Sequence, residues 1–202
     1  MKKTQMRTLA IVSAALAFGA ATPTLATDDK DDKFGAKLSG YNEVHFIAGN
    51  AAASPPVAPA LRGAISTAAK GRFKAEIDDR TNSIHYELTY EGLESPVTQA
   101  HIHFGQHHTV GGIVVWLCGT GLAGTPLAGP AGTPTCPASG TVTGTITAAQ
   151  VLAVTGQGIT AGEFPELVRA IRAGATYANV HSRDNAPGEI RGQLREGGDH
   201  RH

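Results

Sequence analysis

Apolar and polar residues alternate through the middle of the chain with the period of two expected of half-buried β-strands. Phe73, Ala75 and Ile77 alternate with Arg72, Lys74 and Glu76, and Ile84, Tyr86, Leu88 and Tyr90 with His85, Glu87 and Thr89. Val142, Gly144 and Ile146 alternate with threonines, and Ile190, Gly192 and Leu194 with Glu189, Arg191 and Gln193. The unbroken apolar run 113–117 reads as a strand buried on both faces. Between the first two runs, Asp78, Asp79, Asn82 and Ser83 make a hairpin turn by composition. Strands at this spacing, divided by Gly, Pro and Asn, predict an all-β fold: an antiparallel, Greek-key-like β-sandwich or barrel.

Two windows break that period. Thr147-Ala148-Ala149-Gln150 is a capping-box sequence that predicts a turn or two of helix ending at Gly156. Glu163-Phe164-Pro165-Glu166 opens a second helix whose Phe164, Leu167, Val168 and Ile171 fall on one side. Its acids stand at the N-terminal end and Arg169 and Arg172 near the C-terminal end, as the helix dipole favours, and Gly174 stops it.

The chemistry is concentrated in Gln99-Ala100-His101-Ile102-His103-Phe104-Gly105. On a strand, Ala100, Ile102 and Phe104 point one way and His101 and His103 the other, with Cα atoms about 7 Å apart. Two imidazoles at that spacing reach one transition-metal ion. In the strand-like run 176–182, Ala178 and Val180 share one face while Tyr177, Asn179 and His181 share the other. His101, His103 and His181 are therefore the candidate metal ligands, with copper or zinc as the ion that suits imidazole. The competing reading is that they are polar residues hydrogen-bonding across a half-exposed sheet.

Charge and targeting narrow the setting. Lys2, Lys3 and Arg7 precede an apolar run over 9–21, and Thr24-Leu25-Ala26 offers a cleavage site, so residues 1–26 read as a secretory signal peptide. No later run is long enough for a transmembrane segment in the mature chain. The chain has 17 basic and 17 acidic residues; without Lys2, Lys3 and Arg7 the mature chain has 14 against 17, a net charge near −3 that argues against a nucleic-acid partner. Cys118 and Cys136 are the two cysteines, and an oxidising compartment favours a disulfide between them. The expected layout is a charged leader over 27–33, one domain over 34–195 and a flexible tail over 196–202 that carries His200 and His202. Periplasmic or extracellular localisation follows.

Other motifs carry less. Gly119-Thr120-Gly121-Leu122-Ala123-Gly124 matches a dinucleotide-binding string, but Pro126 and Pro130 forbid the helix that must follow. No GxSxG elbow occurs, and no catalytic residue can be singled out.

In combination, several segments resemble the CHRD domain, the module named after chordin. They include Ser39-Gly40-Tyr41-Asn42-Glu43-Val44, Ala100-His101-Ile102-His103-Phe104-Gly105, Val114-Val115-Trp116-Leu117-Cys118, Tyr177-Ala178-Asn179-Val180-His181-Ser182 and Pro187-Gly188-Glu189-Ile190-Arg191-Gly192. The resemblance spans roughly residues 34–195 and implies a single-domain exported bacterial form with no settled activity. The chain departs from the pattern where residues 45–54 separate Val44 from Pro55-Pro56-Val57, a longer surface loop that also brings His45 into consideration as a ligand. The His-x-His strand followed by Phe-Gly is also similar to the copper strand of Cu/Zn superoxide dismutases. That likeness ends at a spacing one residue short, with no clear bridging histidine. Two functions follow: a binding or structural module meeting a protein or envelope partner, or a copper or zinc protein with redox activity through the three histidines.

Overall fold

The computed structural model describes residues 32–47, 61–121 and 129–197. The signal-peptide reading, most of the leader, most of the insertion, part of the glycine-rich string and the tail histidines lie outside these residues. The strands are β1 (Asp32–Ser39), β2 (His45–Ile47), β3 (Leu61–Gly63), β4 (Lys70–Asp78), β5 (Ser83–Glu91), β6 (Val97–Phe104), β7 (Gly112–Gly119), β8 (Gly140–Ile146), β9 (Thr176–Ser182), β10 (Ile190–Gln193) and β11 (Arg195–Glu196). One helix, α1 (Phe164–Arg172), precedes β9.

One antiparallel sheet runs in the order β7-β6-β9-β10-β1-β4-β5-β8, with β11 added against β1, and β2 and β3 form a separate hairpin. The two ends of this path, β7 and β8, approach each other, so the sheet curls into a nearly closed barrel rather than a two-layered sandwich. The alternation read from the sequence is the alternation of the barrel wall. Phe73, Ile84, Leu88, Ile102, Leu117, Val180 and Ile190 are fully buried in one core, while Arg72, Lys74, Glu76 and His85 line the outer surface. The β4–β5 hairpin turns where expected: the Asp78 carboxylate accepts from the Arg80 and Thr81 amides, and Asn82 takes the left-handed φ of +49°.

A cross-strand contact closes the seam. Tyr86 of β5 faces Gly144 of β8 in register, and its hydroxyl reaches past that strand to donate to the Leu117 carbonyl of β7 at 2.7 Å. A Cβ on Gly144 would stand 2.6 Å from the Tyr86 ring and hydroxyl, so only glycine lets the ring cross. Burial pushes the Tyr86 phenol up to about 12, which keeps it a donor at any physiological pH. Beyond β8, the Leu152 amide donates to the Val114 carbonyl of β7 and extends the closure.

The helix has the predicted face: Phe164, Leu167, Val168 and Ile171 pack into the core, and Gly174 follows with φ +66°. Arg172 at its end donates to Asp32 of β1 and to Asp79 in the β4–β5 turn, fixing α1 against that end of the barrel. The other helical window is shorter than predicted. The capping box at Thr147 and Gln150 forms, but it holds a single 3-10 turn over Ala148–Gln150 before the chain extends at Val151. Val151 and Val154 are buried, and Val154 bridges to Ile159, so core burial overrides continuation of the helix. The ends also shift: Asp32 and Lys33, read as leader, are already in β1 paired with β4, and Glu196, read as tail, pairs with Phe34.

Cys118 and Cys136 form a disulfide with Cα atoms 5.0 Å apart, tying β7 to the loop before β8. Thr120 supports the same loop, accepting from the Cys136 amide and donating to its carbonyl, both at 3.1 Å.

Two outcomes test this account. Replacing Gly144 by alanine will force the Tyr86 ring off Leu117 and destabilise the fold by about 1–3 kcal/mol, read as a lower urea midpoint. Replacing Cys118 by serine will remove about 3 kcal/mol on the chain-entropy account; thermal melting of exported protein checks it, and an unchanged midpoint contradicts it.

Candidate metal centre

The site is made by pairing β6 with β9. Their register places His101 opposite Asn179, His103 opposite Tyr177 and Gln99 opposite His181. Ala100, Ile102, Ala178 and Val180 face the core, so the intervening His101, His103, Tyr177, Asn179 and His181 share the other face. His181 is the diagonal neighbour of His101, within reach of a long or aromatic side chain. On its other side β6 meets β7 with two register shifts, between Ala100 and His101 and between Ile102 and His103. Each histidine thus follows a bulge, a device that re-aims a side chain.

The sequence alternation alone places this face in partial contact with water, yet it is buried. His101 is 0 %, His103 8 % and His181 5 % exposed. Segments outside the sheet provide the cover. The loop 105–111 folds over β6 and gives the Gly111 carbonyl to His103, and the loop after β9 gives the Ala186 carbonyl to His181. The turn before β2 brings in Glu43, which is also buried.

The hydrogen bonds assign the tautomers. A carbonyl only accepts, so His103 Nδ1–H donates to Gly111 at 2.9 Å and His181 Nδ1–H to Ala186 at 2.8 Å. With Nδ1–H so engaged, a neutral ring carries its lone pair on Nε2. His181 Nε2 accepts from His101 Nδ1–H at 3.1 Å and lies 3.0 Å from the Asn179 side-chain amide, which must turn its NH2 toward that lone pair. His101 Nε2 is buried with no hydrogen-bond partner, and the buried His103 Nε2 has only the Asn179 side chain beside it. One nitrogen from each of the three rings lies within 4.8 Å of the other two. An ion bound through metal–nitrogen distances of about 2.0–2.1 Å holds its ligands about 3.5 Å apart. Small ring rotations therefore suffice to close the three onto one centre.

The surrounding side chains hold the rings and set the field. The Trp116 ring meets His101 edge-on at 4.2 Å, and Tyr177 stacks on His103 at 4.8 Å with planes 2° apart. The Arg191 guanidinium lies 3.3 Å over the Tyr177 ring and is itself 1 % exposed. Its nitrogens donate to the Thr109 and Gln106 carbonyls, clamping the covering loop. Burial is the main cause of the shifts here: it lowers His101 to about 2, with His181 and His103 adding to it, and His103 to about 4. Burial likewise raises the Glu43 carboxyl, against the amide bond from Val44 and the charge of Arg191.

All three predicted ligands are thus brought together. The other histidines are not. His107 and His108 meet edge-on with ring centroids 3.7 Å apart, both exposed, and the loop that carries them serves the site through backbone carbonyls instead. The backbone of His45 lies in β2, but its side chain is outside the described residues. Arg191, Glu43 and Trp116 surround the triad without having been read as part of it. The available hints were an arginine on the polar face of the 190–194 run and a tryptophan inside an otherwise aliphatic strand.

Two buried neutral imidazoles make the metal-free fold acid-sensitive. Their folded pKa values lie below the unfolded one, so the unfolded chain takes up protons first and stability falls as pH drops below about 6.5. The loss is about 1.4 kcal/mol per pH unit for each histidine, until Glu43, with the opposite sign, offsets part of it close to the ordinary carboxyl range. Thermal midpoints of metal-free protein between pH 7 and 5 check this, and a flat profile contradicts it.

The profile of the CHRD domain matches residues 34–194. Comparison with curated proteins and with solved structures gives no match. The matched span contains all three histidines, both cysteines and every strand from β2 to β10, and the chain belongs to the CHRD domain family.

Proposed function

We propose that this chain is an exported CHRD module that holds one copper or zinc ion through His101, His103 and His181, and that it works as a binding protein of the cell envelope or extracellular space. The observation that carries the reading is the convergence of three buried imidazoles, with His101 Nε2 left without a hydrogen-bond partner. A buried polar atom left without a partner costs about 1–3 kcal/mol, and an ion shared with His181 removes that cost. The carbonyls that fix Nδ1 of His103 and His181 are the outer partners by which proteins orient metal-ligating imidazoles. Export is supported by the charged, apolar and small-residue order of the first 26 residues and by the disulfide.

Burial favours this reading over superoxide-dismutase-like redox activity. A catalytic metal keeps a coordination position open to substrate, whereas these three rings are closed beneath the loops at 105–111 and 183–189.

Calorimetric titration of tag-free protein with Cu(II) and Zn(II) is the test, in a background with H200A and H202A so that the tail cannot imitate a site. One ion per chain is expected. Each of H101A, H103A and H181A is expected to weaken binding at least tenfold, and the triple variant to abolish it. A triple variant that binds like its parent overturns the proposal.

A further inference from the structure

Resting on that metal-site reading, we infer that the site is built for a monovalent ion and takes copper as Cu(I) in preference to Cu(II) or Zn(II). Three features of the site, each independent of the others, point to this.

The first is ligand charge. Among the described residues the group that converges on one centre is three histidines, with no carboxylate or thiolate. Three neutral imidazoles leave the full charge of the ion uncompensated. The cost of burying an ion grows with the square of its charge, so a dication suffers about four times the penalty of a monocation in the same surroundings.

The second is coordination number. Zn(II) takes four ligands and, with three from protein, fills the fourth position with water. Cu(II) on nitrogen and oxygen ligands prefers a tetragonal or square-planar set. Cu(I) has a filled d shell and accepts three ligands in a plane. His101 is fully buried, and its ring is met edge-on by Trp116. The burial that keeps water from His101 leaves a dication no water for its fourth position.

The third is the fixed charge nearby. The Arg191 guanidinium lies over Tyr177, and Tyr177 is stacked on His103, so a buried cation stands one ring away from a ligand. Its repulsion of the bound ion, reduced where the Glu43 carboxyl faces it, scales with the charge of that ion and is weaker by half for Cu(I). Arg191 cannot withdraw, because it holds the covering loop through Thr109 and Gln106.

The test compares oxidation states on the same tag-free H200A/H202A protein. Cu(I) affinity is measured anaerobically in ascorbate against a chromophoric Cu(I) chelator, and Cu(II) and Zn(II) affinities against chelators of known strength. Cu(I) is expected to bind at least about 100-fold more tightly than Cu(II), which at 59 mV per tenfold raises the potential of the bound copper by about 120 mV over the aqueous couple. Copper-loaded protein is then expected to stay silent in electron paramagnetic resonance after brief exposure to air. R191M is expected to narrow the ratio of Cu(I) to Cu(II) affinity, and R191K to preserve it. Tighter binding of Cu(II) or Zn(II), lost in the triple alanine variant, overturns this inference and leaves the metal-site reading standing. Failure to bind any of the three ions overturns both. An unchanged ratio in folded R191M overturns the electrostatic argument, and the wild-type comparison decides the preference even where R191M does not fold.

Discussion

Everything that distinguishes this molecule depends on the antiparallel pairing of β6 with β9. The pairing has two products at once. Its inner face contributes Ala100, Ile102, Ala178 and Val180 to the core, and its outer face gathers His101, His103 and His181. Because the side-chain period of a strand is two, a slip of one residue would exchange these sets and put imidazoles into the hydrocarbon interior. The apolar demand of the core therefore fixes the register, and the register fixes the histidines. The site is held in place by hydrophobic burial on the opposite face of the same strands.

The barrel stands in the same relation to the site. β6 and β9 are interior strands of the sheet, bounded by β7 and β10, and both neighbours contribute to the site: Trp116 from β7 and Arg191 from β10. β7 is one end of the open path, and what steadies it is the reach of Tyr86 across Gly144, together with the Cys118–Cys136 link. A contact on the far side of the seam thus supports the strand that holds Trp116 against His101.

The outer layer converts a sheet face into a buried centre. Arg191 is the clearest case of a residue whose placement only makes sense with that layer present. Its charge is removed from water, which costs several kcal/mol unless compensated, and the compensation comes from two loop carbonyls and the face of Tyr177. Glu43 comes from the far end of the chain to face the same arginine. The loop 105–111 is pinned by Arg191, His103 and Gln193 together, so closing the loop and shaping the ligand set are one event.

Local patterning carried the strands, the β4–β5 turn, the amphipathic helix and the shared face of the three histidines, because each depends on periods and turn chemistry that act over a few residues. It overextended the helical window at Thr147, where the burial of Val151 and Val154 outweighs a good capping box. Strand β1 begins at Asp32, inside what reads as charged leader, since pairing with β4 recruits Asp32 and Lys33. Tertiary structure alone decided whether the histidine face is wet or dry. The alternation of Tyr177, Asn179 and His181 with apolar residues reads as half-exposed. What buries that face is a set of loops and a turn distant in sequence, held there by Arg191 and by carbonyls that no side-chain pattern encodes.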